Sequence, residues 1–128
     1  MKLINFQEGT VEVLHNHFKG RNIFVGDGIE EGSTKPYIYL GDVSMVYDDS
    51  KTDDMTESTI NIMVFTNNTG KGECLRLCDE VAEIALGAKF KNVEIIDSIV
   101  TAIRVQETSP TEITGQVTFR VRSQVYET

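Results

Sequence analysis

The strictest constraint on the fold is an alternation near the end of the chain. In "TEITGQVTFRVRSQVYE" (111–127), Val117, Phe119 and Val121 alternate with Thr118, Arg120 and Arg122. Successive side chains of a strand point to opposite faces, so this segment predicts a sheet with one buried and one wet face. "STINIMVFT" (58–66) repeats the pattern, with Ile60, Ile62 and Val64 on one side. A one-sided sheet needs a cover. Residues 73–86 supply it: wound as a helix, they place Leu75, Leu77, Cys78, Val81, Ala82, Ile84, Ala85 and Leu86 on one broad arc. Arg76, Asp79, Glu80 and Glu83 take the remainder.

Other elements follow from local chemistry. A first helix is expected over about residues 4–19, opened by a capping box of Asn5 and Glu8 and closed near Gly20. Phe6, Val13, Leu14, His17 and Phe18 lie on its apolar side, and Glu8, Glu12, His15 and Lys19 on the other. "NIFVGDGIEEGSTK" (22–35) predicts a short strand and a Gly-rich loop. "PYIYLGDVSMVY" (36–47) predicts a strand opened by Pro36, with Gly41 marking a bulge or close approach. It should pair with 58–66 as a hairpin around the polar "DDSKTDDMTE" (48–57). "VEIIDSIVTAIRVQET" (93–108) should form a second hairpin with the final strand, turning at Ser109 and Pro110. The expected class is α+β: one domain spanning 1–128, with a largely antiparallel or mixed sheet packed by two main helices.

"NNTGKGECLRLCDE" (67–80) is the stretch that most resembles chemistry. A phosphate loop needs a glycine five positions before Gly70 and a hydroxyl after Lys71; Phe65 and Gly72 stand there. The expected role is a helix start capped by Thr69. Cys74 and Cys78 are four apart on a helix, too far for an unstrained disulfide, and face its apolar side as small hydrophobes. His15 and His17 point to different faces, so no zinc set forms. The acidic loop fails the calcium pattern because Asp53 occupies the glycine position. No catalytic constellation and no cofactor motif emerges. The net charge of −8 argues against binding nucleic acid through phosphates, which needs a basic face. No apolar run approaches the ~20 residues of a membrane span, and the N-terminus lacks a signal-peptide pattern.

"PYIYLG" (36–41), the acidic loop, "INIMVFTNNTGKGECLRLCDEVAEIAL" (60–86) and "TGQVTFRV" (114–121) together resemble the tail terminator and tail-to-head joining proteins of long-tailed bacteriophages. The resemblance runs over 20–126. Phe65 departs from it where tryptophan is common, and Thr114 where histidine often precedes the glycine. It implies a structural virion protein without enzymatic activity, made in the host cytoplasm and placed at the head–tail interface. The implied partners are other copies of itself in a homohexameric ring, the tail tube protein and the head–tail connector or stopper protein. DNA would pass through without specific binding, helped by an acidic lumen. Asp48, Asp49, Lys51, Asp53, Asp54 and Glu57 are the candidate contacts to a neighbouring subunit or the tube. Competing readings are another connector or neck protein, or a small ligand-binding α+β domain or enzyme.

Overall fold

Residues 1–28, 34–47, 55–91 and 93–125 are described by a computed structural model. The elements are α1 (Leu3–Phe18), a 3-10 turn (Lys19–Arg21), β1 (Phe24–Gly26), β2 (Tyr37–Tyr47), β3 (Met55–Asn67), α2 (Gly72–Ala85), β4 (Val93–Ser109) and β5 (Glu112–Val125). The strands form one mixed sheet in the order β1-β2-β3-β5-β4. Among the described residues only β1 and β2 run parallel; the other three pairs are antiparallel. This is the expected α+β architecture, a single domain with both hairpins in place.

The alternation predicted for β3 and β5 decides where the core lies. Thr56, Ser58, Ile60, Ile62, Val64 and Thr66 are buried, while the odd-numbered residues between them are only half-buried. Val117, Phe119 and Val121 pair directly across from Ile62, Ile60 and Ser58 and are fully buried. Over this face α1 packs on β1 and β2, and α2 packs on β5 and β3. Phe6 lies against both Phe119 and Phe90, with ring centroids 6.0 and 5.6 Å apart. Fully burying a side chain of this size stabilises by about 1.5–3 kcal/mol, so these residues dominate the fold's energetics.

Both helices lie within a residue of the expected bounds, but neither is capped as expected. Met1 is buried in the core. α1 starts at Leu3, one residue before the expected start, with Lys2 at the N-cap and no side-chain cap, so Asn5 is already helical. The buried stripe is Phe6, Thr10, Leu14 and Phe18. Thr10 fits there because its hydroxyl donates to the Phe6 carbonyl at 2.8 Å, whereas His17 is exposed. The reversal after α1 falls on Asn22, at φ 58, rather than on Gly20. Asparagine tolerates that left-handed conformation, which turns the chain so that Ile23 enters the core.

In α2, Thr69 does not cap; Lys71 holds the N-cap position without a side-chain bond, and Gly70 makes the turn at φ +105. Cys74, Leu77, Cys78, Val81, Ala82 and Ala85 are buried. Leu75 and Leu86 are not, at 49% and 44% exposure: they flank the stripe that meets the sheet.

Two strand glycines have steric reasons. At Gly41 the β2 ladder slips between Leu40 and Val43, and a Cβ would lie 3.1 Å from the Asn61 carbonyl oxygen, confirming the bulge. At Gly115 a Cβ would lie 2.3 Å from the Cys78 sulfur. A glycine in β5 is therefore what lets α2 seat its two cysteines on the sheet.

Candidate functional site

The stretch around Gly70 and Lys71 serves as a brace. The Asn68 side chain donates to the Ser109 carbonyl at 3.2 Å, and its backbone N–H donates to that of Thr111 at 3.1 Å. The loop entering α2 is thus tied to the β4–β5 turn. Cys74 and Cys78 are free thiols, both fully buried. The hydrogen bond with Cys74, together with burial, pushes the Cys78 thiol well up, which disfavours the thiolate needed for nucleophilic or metal chemistry. Among the described residues no group of His, Cys, Asp and Glu is arranged to hold a metal.

The uncovered face of the sheet carries its own polar network. Gln116 and Thr118 donate to the Asn61 side-chain oxygen at 3.3 and 3.0 Å. Arg120 pairs with Glu57 at 3.5 Å, Arg122 pairs with Asp97, and Lys35 meets Glu112 at 3.0 Å. Hydrogen bonding from Arg122 holds the Asp97 carboxyl below its ordinary value, and the same pair raises Arg122. Arg120 and Arg122 are thus matched by carboxylates and form no free basic patch for a nucleic-acid backbone. Tyr37 and Phe65 add an aromatic pair on this face, with centroids 5.0 Å apart.

Of the six residues expected in the acidic loop, Asp48, Asp49, Lys51, Asp53 and Asp54 lie outside the described residues. Glu57 is not in a loop. It stands in β3 opposite Val46, because the ladder with β2 already starts at Thr56–Tyr47. A separate polar tie joins the helices: His17 Nε2 lies 2.6 Å from Glu80 Oε2, and Arg21 bonds the same oxygen. Arg21 also stacks over Phe18, 5.3 Å from the ring centre. Hydrogen bonding from Arg21, then from His17, lowers the Glu80 pKa. This seam was not anticipated from the sequence. Its only trace is a histidine two places from Arg21's turn and a glutamate on the polar arc of a distant helix.

Among the described residues these surfaces are braced by hydrogen bonds and ion pairs. The family described as Tail completion protein gp17 matches residues 10–124. The chain belongs to that family. Membership makes it a structural component of a phage-type tail, as the motifs at 36–41, 60–86 and 114–121 implied. A chain in a solved structure described as the virion of a native gene transfer agent particle is similar to this tail completion family member. It has 16% identity and a TM-score of 0.74, with 92% of this chain and 93% of that chain covered. That likeness is one of fold. A comparison with curated proteins finds no match. Among the described residues no helix is long and apolar enough to cross a membrane.

Proposed function

We propose that this protein is a tail terminator: a non-enzymatic subunit that closes into a homohexameric ring, caps the tail tube and joins it to the head connector. The observation that carries this reading is the family match across residues 10–124. The protein would be made in the host cytoplasm and end at the head–tail interface. Its partners would be its own copies, the tail tube protein and the connector or stopper protein, with DNA passing through unbound. The pairing of Arg120 and Arg122 with carboxylates on the open face, together with the net charge of −8, supports passage without adhesion, since the counterion release that drives phosphate binding needs a basic face. The acidic segment containing Asp48, Asp49, Lys51, Asp53 and Asp54 is proposed to touch a neighbouring subunit or the tube. Glu57, in the strand beside it, would align that contact.

Electron microscopy of the concentrated protein, alone and with tail tubes, tests this. Rings of six at tube ends are expected, and particles lacking the protein should carry tails of uncontrolled length. Tails of normal length that fail to join heads would move the protein to another place in the neck. Normal, infectious particles without it would reject the proposal.

A further inference from the structure

The sheet has two unequal open edges, and they fit each other. On one side β4 runs for 17 residues and, among the described residues, pairs only with β5. On the other side, among the described residues, β1 covers β2 only at Tyr37, Ile38 and Tyr39, leaving β2 open from Leu40 to Tyr47. Open edges present unpaired N–H and C=O groups and are ordinarily blunted by lysine or proline. Neither β4 nor β2 contains either residue. Instead, four successive β4 residues, 101–104, are exposed, and so are Asp42, Ser44, Val46 and Tyr47 of β2.

We infer that the β4 edge of one subunit pairs antiparallel with the open β2 edge of a second copy, and that Arg104 meets Asp42 across the joint. Direction is the first reason. β2 runs with β5 and against β4. A second copy placed beside the first with its helices on the same side therefore brings its β2 antiparallel to β4, the arrangement of an added strand. The faces are the second reason. Ile103 lies opposite Val117 and Val43 opposite Ile60, both on the helix-covered side. Arg104 lies opposite Gln116, and Asp42 sits in the bulge across from Asn61. Gln116 and Asn61 bond each other, so Arg104 and Asp42 share the open face.

Charge is the third reason. Arg104 and Asp42 have no ion-pair partner among the described residues, while the other arginines of this face are matched. Pairing Ile103 with Val43 also covers Ile103, which is 41% exposed in the single subunit. A β4–β4 pair would leave the β2 edge open. Joining two different edges is heterologous, the kind of joint that makes a ring when its rotation closes and a filament when it does not. The ladder breaks at Ile95/Asp97, Val100/Ala102 and Glu107/Ser109 bend β4, which favours a curved joint over a flat stack.

This inference rests on the ring reading above, and the test separates the two. The assembly state of full-length R104D, D42R and the D42R/R104D double variant would be measured by native mass spectrometry, with and without tail tubes, and their folding by circular dichroism. Each single reversal should keep the fold but raise the subunit concentration needed for rings by roughly fivefold per joint, since like charges then face each other. The double variant should assemble as the natural chain does. Rings that form equally well in both single variants would overturn the edge pairing and leave the ring reading intact. A dimer sensitive to R104D but not to D42R would mean that β4 pairs with itself, which also overturns it. A natural chain that stays monomeric even on tail tubes would overturn both.

Discussion

The two faces of the sheet are built from the same strands, one residue out of step, and they hold together by different means. On the covered face Ile60, Ile62, Val64, Val117, Phe119 and Val121 are fully buried beneath two helices. On the open face, one residue along, Asn61, Gln116 and Thr118 bond one another, and Arg120 and Arg122 are held by Glu57 and Asp97. The first arrangement removes apolar area from water and is unforgiving of shape. The second exchanges water for side-chain partners at small net gain. Stability should therefore sit on one side, leaving the other free to be shaped by contacts.

Substitutions test this division, beginning with the largest effect. Phe119→Ala removes the ring that Phe6 stacks on and should destabilise by about 3–5 kcal/mol in chemical denaturation. A loss under 1 kcal/mol would mean that the helices do not depend on the sheet as described. Gly115→Ala comes next. The new methyl would sit 2.3 Å from the Cys78 sulfur and 2.9 Å from that of Cys74, so α2 must lift. About 1–3 kcal/mol of destabilisation is expected. Combining it with Cys78→Ala should cost less than the two single changes added together, and simple additivity would refute the contact. On the open face, Asn61→Ala removes the shared acceptor of Gln116 and Thr118. Its expected cost is about 0.5–1.5 kcal/mol, because both donors are only part-buried and can turn to water. A penalty matching that of Phe119→Ala would erase the distinction between the faces.

The covered face was also the legible one. The period of two in β3 and β5 placed Ile60, Ile62, Val64, Val117, Phe119 and Val121 in the core, since burial on one side writes itself into neighbouring positions. The arc of α2 placed Leu77, Cys78, Val81, Ala82 and Ala85, though it also included the exposed Leu75 and Leu86. Gly41 announced its bulge for the same local reason. What stayed hidden were partnerships: Asn68 with Ser109, Glu80 with His17 and Arg21, and the parallel pairing of the expected short strand β1 with β2. The bounds of α1 were read to within a residue, but its capping box at Asn5 and Glu8 was not realised, because the helix already starts at Leu3. For function, the motif order pointed to the tail completion family, and no single residue did. Of the proposed interface set, Glu57 proved to be a strand residue already engaged by Arg120, a pairing that spans 63 positions and leaves no local pattern.

The smallest expected effect concerns the polar tie between the two helices, and it asks whether that tie behaves like the open face. Glu80 joins α2 to His17 and Arg21 at the end of α1. Hydrogen bonding from Arg21, and secondarily from His17, lowers its carboxyl pKa below the ordinary 4.5. A lowered carboxylate contributes stability that is fully present above the unfolded value and is lost as pH falls through the folded value. Thermal stability should therefore carry a small extra loss on acidification from about pH 4.5 downward. Glu80→Gln should remove that part of the slope while changing stability little at neutral pH, because the pair is solvent-accessible and screened. Added salt should shrink the difference between Gln and Glu at position 80 further. If the two proteins instead show identical acid slopes at low salt, the helix seam is held by Phe18 and its neighbours alone. Polar contacts would then be incidental to stability on both sides of the sheet.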